Sequence, residues 1–162
     1  MKKISVLFCC MGNICRSPTA EAVFRAKVEE AGLAEHITID SVGTHDYHIG
    51  SPPDSRTQHA AMQRGYDMSM LRGRQVELAD FSRFDYVLAM DNANMEILYR
   101  MCPKSHRDRL GLFLNYAQKH KEREVPDPYY GGEHGFERVL DMVEDGAEGL
   151  LLHIRKQHLN QT

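Results

Sequence analysis

The chain has 162 residues, 42% of them hydrophobic and 27% charged, with a formal net charge of −3 when histidines are neutral. That length suits one domain over residues 1–162 with a core that needs no disulfide staples. The modest net charge excludes a strong nucleic-acid or membrane-surface signal, and no apolar stretch approaches the length that crosses a bilayer.

Residues 4–9 form a short apolar run with β-branched members, the pattern of a strand covered on both faces. The Ile4 to Phe8 run after Met1-Lys2-Lys3 is only five residues long, Ser5 among them, and no small-residue cleavage site comes after it, so a secretory leader is not expected. Residues 19–31 read as a helix, with Pro18 at its first position, Gly32 as its stop, and Ala20, Val23, Phe24, Val28 and Ala31 on one stripe. Residues 37–42 form a second strand closed by Gly43, and Ser51-Pro52-Pro53-Asp54 opens a helix that Gly65 ends. A third strand is expected over 84–90. Asp91 then caps a helix whose Met95, Leu98 and Tyr99 face inward. Residues 110–114 give a shorter fourth strand. Phe136, Val139, Leu140, Val143, Ala147, Leu150, Leu151 and Ile154 then mark one long amphipathic helix. Alternating strands and helices imply a three-layer αβα, Rossmann-like fold with a short, twisted parallel sheet of about four strands. Ligands of such sheets bind beyond the carboxyl ends of the strands, where the loop after strand 1 lies.

That loop, Cys10-Met11-Gly12-Asn13-Ile14-Cys15-Arg16-Ser17, carries the chemistry. A turn into a helix N-terminus points backbone N–H groups at one spot and adds partial positive charge, which suits a tetrahedral oxyanion. Arg16 grips two oxygens in a plane, and the same surroundings favour the Cys10 thiolate over the thiol. Ser17 donates to the sulfur and helps it leave, or simply caps the helix. Gly12 permits close approach and unusual φ, and Asn13 tolerates a left-handed conformation. With 13 arginines and four cysteines, Cys-x5-Arg alone arises by accident about one time in three, so the surrounding residues carry the argument. A phosphate ester also needs its leaving oxygen protonated, and Asp127, in Pro126-Asp127-Pro128 before Tyr129-Tyr130-Gly131-Gly132, is the candidate acid. The nine histidines show no metal spacing, and His45 and His48 read as surface residues. No metal or other cofactor is expected.

Residues 6–18 followed by Ala20-Glu21-Ala22 resemble the signature of the low-molecular-weight protein tyrosine phosphatases. The likeness continues through Asp40-Ser41, Gly43-Thr44, Pro52-Pro53-Asp54, residues 84–91 and residues 125–132, and so spans nearly the whole chain. It implies hydrolysis of protein phosphotyrosine and small aryl phosphates through a cysteinyl-phosphate. Cys10 is then the nucleophile, and Arg16 with the loop Met11, Gly12, Asn13, Ile14 and Cys15 binds the phosphoryl group. Asp127 serves as general acid and then base, Tyr47 and Tyr129 flank the substrate ring, and Asn13, Ser41 and Asp91 brace the loop. The resemblance also implies a reversible Cys10–Cys15 disulfide and a Tyr129-Tyr130 pair like that modified by kinases in some members. It further implies phosphotyrosine-containing protein substrates, a tyrosine autokinase among them, and a monomer or weak dimer is expected. Four cysteines with no secreted disulfide framework point to a reducing cytoplasm, and the charge and apolar pattern to a protein that binds neither nucleic acid nor membrane. Two positions depart from the pattern. Cys9 replaces the usual apolar residue and reads as a small buried hydrophobe. Leu71 stands where many members place a histidine that supports the loop, which puts loop rigidity in question.

Three rival functions fit the same cup less well. Arsenate reduction needs a relay of further cysteines, and beyond Cys15 the chain has only Cys102. Protein arginine phosphatases tend to carry threonine at the place of Ile14 and have a shorter acid loop. A non-catalytic phosphotyrosine-binding module has no need to keep Cys10, Arg16 and Asp127 together.

Overall fold

β1 (Ile4–Cys10) lies inside the sheet, which is why its sequence is apolar without alternation. In the computed structural model, which describes residues 3–130 and 134–159, it pairs on one side with β2 (Ile37–Gly43) and on the other with β3 (Tyr86–Ala89). β4 (Leu110–Leu112) completes the order β2-β1-β3-β4, every pair parallel. Gly131 and Gly132 of the acid loop lie outside the described residues.

Pleating divides β1 between two cores. Ile4, Val6, Phe8 and Cys10 join the core built with α1 (Arg16–Glu30) and α5 (Gly135–His158), where the Phe8 ring meets Phe24 and Phe113 edge-on. Leu7 and Cys9 join the smaller core, with Phe81 of α3 (Asp80–Arg83) and Leu98 of α4 (Asn92–Met101). This is the expected three-layer α/β architecture. Cys9 is fully buried, and burial above all pushes its thiol well up, so it packs as a small hydrophobe. The register sets Cys10 beside Gly43 and Cys9 beside Ala89, so the loop after β1 leaves at the carboxyl end of the sheet.

Several boundaries differ from the sequence expectations. α1 starts at Arg16, which puts Pro18 in the third helical position, where a backbone N–H would still lack an intrahelical partner. β3 begins only at Tyr86, because the Asp85 carboxylate is committed to Ser5, accepting from its N–H and its hydroxyl. β4 stops at Leu112, and Phe113–Tyr116 turns into a 3-10 helix that buries Phe113. α2 (Ser55–Met62) follows Asp54, whose carboxylate accepts from Arg56 N and Thr57 N, and Gly65 comes after it with φ +88°. The short α3 had no sequence counterpart. Tyr99 does not face inward: it is 50% exposed, with the Arg107 guanidinium 4.1 Å above its ring, while Leu98 fills the core.

The segment leading to the acid loop is tied down by one buried carboxylate. Asp145 on α5 accepts from Gln118 N (2.9 Å), Lys119 N (2.9 Å), His120 N (2.8 Å) and the His120 ring (2.8 Å). Burial opposes its charge, yet the His120 ring and these N–H groups hold the carboxyl down at about 2. A depressed carboxylate stabilises the fold above its unfolded value and loses that effect as pH falls toward its folded value. Asp145→Asn should therefore cost about 2 kcal/mol at neutral pH and flatten the fall in Tm between about pH 4 and pH 2. An unchanged acid limb in calorimetry would refute the assignment.

No helix among the described residues is long and apolar enough to cross a membrane. Cys9, Cys10, Cys15 and Cys102 are all free thiols.

Candidate active site

Cys10 ends β1, 3% exposed, with its Sγ 3.0 Å from Ser17 Oγ and accepting from Asn13 N at 3.3 Å. The residues between wrap around the sulfur. The left-handed residue of the turn is Asn13, with φ +57°, rather than Gly12, which is not among the positive-φ positions. Asn13 Nδ2 donates to Ser17 Oγ (2.9 Å) and Ser41 Oγ (3.0 Å), and its Oδ1 accepts from Arg74 N (3.0 Å). Ser17 Oγ also lies 3.2 Å from the Val42 carbonyl, so its one proton can point to that carbonyl or to the sulfur. Ser17 thus sits inside the first turn of α1 and does not cap it; Cys15 holds the cap position.

The bracing continues outward. Ser41 Oγ donates to Glu21 Oε1 (2.7 Å), and Arg25 holds Glu21 Oε2 (2.7 Å). Burial pushes the Glu21 carboxyl up, against the pull of Ser41 and Arg25. Arg74, whose N–H fixes Asn13, is itself clamped by Asp80 and Asp40. These contacts answer the question raised by Leu71. That side chain packs on the main core, and the loop is braced by Arg74, Ser41 and Glu21 without an imidazole there. Gly43 matters for a related reason, since a Cβ there would sit 2.8 Å from the Met11 carbonyl oxygen and 3.2 Å from Asn13 N. Its sequence signal was a glycine ending the strand beside the turn.

Arg16 is 5% exposed, and its Nη1 donates to Asp91 Oδ2 (2.6 Å) and to the Val125 carbonyl (3.1 Å). Burial disfavours its charge, but Cys10 and Asp91 outweigh that and hold the guanidinium above its ordinary value. Asp91 serves twice, because its Oδ1 also accepts from Asn94 N and caps α4.

Cys10, Met11, Gly12, Ile14, Cys15 and Arg16 line a cleft of about 150 Å³, with His48, Asp127 and Tyr129 on its walls. Asp127 Oδ1 accepts from Tyr129 N (3.0 Å), and the Tyr129 hydroxyl donates to Asp54 Oδ2 (2.6 Å). Arg56 stacks on the Tyr129 ring at 4.7 Å, so the acid loop is pinned to the start of α2. Burial and the bond to Asp54 both raise the Tyr129 phenol, which stays protonated and able to donate. Tyr47 is not among the residues lining this cleft; it is 70% exposed and stacked on His45 at 5.2 Å. The next residue, His48, does line the cleft, and its carbonyl packs close to Gly73, where a Cβ would come within 2.4 Å. His48 was read as a surface histidine, and no spacing pattern marked it. Among the described residues no cluster of His, Cys, Asp and Glu is arranged to hold a metal ion.

Residues 5–160 match the low molecular weight phosphotyrosine protein phosphatase family. The chain belongs to that family. A phosphatase of this description from Schizosaccharomyces pombe is 44% identical over 154 residues, covering 94% of this chain and 98% of that protein. A protein tyrosine phosphatase from Entamoeba histolytica, solved with Hepes in its active site, superposes with a TM-score of 0.92 at 42% identity, covering 95% and 98% of the two chains. A Drosophila arginine phosphatase superposes at 0.86 with 31% identity, covering 97% and 99%.

For this family member the close fit at Gly43 gives a direct test. Gly43→Ala should shift the Met11–Asn13 backbone and lower kcat/KM for p-nitrophenyl phosphate by about 10²-fold, the scale of a misplacement near 1 Å. Activity within a factor of two of the parent would show that the loop does not depend on that approach.

Proposed function

We propose that the protein hydrolyses phosphotyrosine in proteins, and small aryl phosphates, through a phosphoryl group carried on Cys10. The observation that carries this reading is the single cleft lined by Cys10, Arg16, Asp127 and Tyr129. Cys10 Sγ attacks phosphorus in line, an S–P bond forms, and the P–O bond to the aryl group breaks. Asp127 gives its proton to the departing phenolate oxygen. Arg16 and the amides of residues 11–16 hold the equatorial oxygens as their charge redistributes. Water then attacks phosphorus, Asp127 takes its proton, the S–P bond breaks, and the Ser17 hydroxyl turns to the returning thiolate.

Asn13, Ser41 and Asp91 act by holding the loop and Arg16, and Tyr129 offers its ring to the substrate's. Cys15 shares the cleft with Cys10, which supports a protective disulfide after oxidation of Cys10. Burial pushes the Cys15 thiol up to about 11, against the Thr57 and Tyr129 hydroxyls, so it waits as a thiol. The four free thiols support a reducing, cytoplasmic setting for a chain that works as a single domain. A tyrosine autokinase is one phosphoprotein that such a phosphatase would act on.

Purified protein should be compared on matched phosphotyrosine, phosphoserine and phosphoarginine peptides, with arsenate as a control. The expected order puts phosphotyrosine first. A higher kcat/KM on phosphoarginine would move the assignment to the arginine phosphatases.

A further inference from the structure

Glu21 on α1 is a carboxylate that neither chemical step uses, yet it lies 5% exposed behind the phosphate loop. Its Oε2 accepts from Arg25 Nη2 at 2.7 Å, and its Oε1 accepts the Ser41 proton at 2.7 Å. Paired with a guanidinium, the carboxylate is an acceptor on both oxygens. Leu71 supplies no imidazole here, and Glu21 meets Ser41 directly.

From that fixed end the direction of each proton back to the sulfur follows. A serine has one proton, and Ser41 gives its own to Glu21. The Ser41 oxygen must then accept, and it does so from Asn13 Nδ2 at 3.0 Å. The second Nδ2 proton goes to Ser17 Oγ at 2.9 Å. Ser17 therefore cannot donate to Asn13, and its proton is left with the Val42 carbonyl (3.2 Å) and Cys10 Sγ (3.0 Å). When the S–P bond breaks and its electron pair stays on sulfur, the thiolate takes that proton's hydrogen bond, because a charged acceptor is the stronger one. The opposite end of the amide agrees, since Arg74 N donates to Asn13 Oδ1 at 3.0 Å. Ser41, Asn13, Ser17 and Cys10 are at most 4% exposed, so bulk water does not compete along the chain.

We infer that Glu21 is a positioning residue for the second step: its charge sets the direction of the Ser41, Asn13 and Ser17 hydrogen bonds and so aims the Ser17 proton at the departing Cys10 thiolate. The inference rests on the phosphatase reading above and adds what orients Ser17. Glu21→Gln keeps the shape and reverses the order. Beside the Arg25 guanidinium the new amide presents its oxygen, so its NH2 faces Ser41. Ser41 then accepts from residue 21 and turns its proton toward Asn13. The Asn13 amide can take it only with its oxygen on that side, where it also receives the Ser17 proton, and none is left for sulfur.

The test is a cycle with Ser17, read at neutral pH. In the parent background Glu21→Gln should slow breakdown of the phosphocysteine, followed by rapid quench, about tenfold, the effect of one hydrogen bond to a charged group. Phosphate affinity by calorimetry should stay within about threefold, because Arg16 and the loop amides hold the anion. In the Ser17→Ala background, which has no proton to aim, the same substitution should change the rate less than about twofold. Ser41→Ala cuts the chain while leaving the Glu21–Arg25 pair whole. It should slow the same step at least about threefold, again only where Ser17 is present, and it decides the matter if Glu21→Gln does not fold. Equal losses in the two backgrounds overturn the inference, as does a loss of phosphate affinity that matches the loss of rate, or no loss at all. Failure of the parent protein to release nitrophenolate from p-nitrophenyl phosphate would instead overturn the phosphatase reading.

Discussion

Replacing Cys10 with serine should lower turnover of aryl phosphates by about 10⁴-fold or more while leaving phosphate affinity close to that of the parent. The two halves of that expectation come from different parts of the site. Binding rests on Arg16, fixed by Asp91 and the Val125 carbonyl, and on loop amides fixed through Asn13, Ser41 and Arg74. None of these depends on sulfur. Turnover rests on sulfur as the attacking atom, a far better nucleophile than a serine hydroxyl with no general base beside it. Steady-state kinetics with calorimetric phosphate titration separates the two. A serine variant that kept even a tenth of the parent rate would remove Cys10 from the mechanism.

Asp127→Ala should have the second largest effect, and its size should depend on the leaving group. General acid catalysis contributes about 10²- to 10⁴-fold where the departing oxygen is basic, as for the tyrosine phenolate with a pKa of about 10. An acidic nitrophenol leaves with little help. Across a series of aryl phosphates, the variant should therefore show a steep loss of rate as the leaving phenol becomes more basic, and the parent a shallow one. Parallel slopes would assign the proton to another group. Tyr129 bears on the same step, since its N–H holds one Asp127 oxygen while its hydroxyl is anchored on Asp54.

Much of this site is local in sequence and was legible there. Cys10 through Ser17 are consecutive, and they run from the end of β1 into the first turn of α1. Asp91 showed its capping role through its place before a helix, and the resemblance added its hold on Arg16. What stayed hidden depends on packing between distant segments. His48 lines the cleft and Tyr47 does not, in a loop tied to a distant segment through Gly50 N, which donates to the Gly73 carbonyl. Arg74 braces Asn13 through a main-chain N–H, a contact that side-chain identity does not announce. The fold shows the same division. Central β1 and the long α5 follow their apolar patterns, whereas β3 and β4 are shortened by contacts of Asp85 and Phe113 with partners far along the chain.

The covalent phosphoenzyme is the central claim, and it has a direct measurement. Asp127 also activates the water of the second step, so Asp127→Ala mixed with excess p-nitrophenyl phosphate and quenched rapidly should hold phosphate on the protein. The account predicts a burst of nitrophenolate near one equivalent per chain, with the phosphoryl group mapped to the peptide containing Cys10. Phosphate appearing in solution in step with nitrophenolate, with no adduct on Cys10, would contradict it.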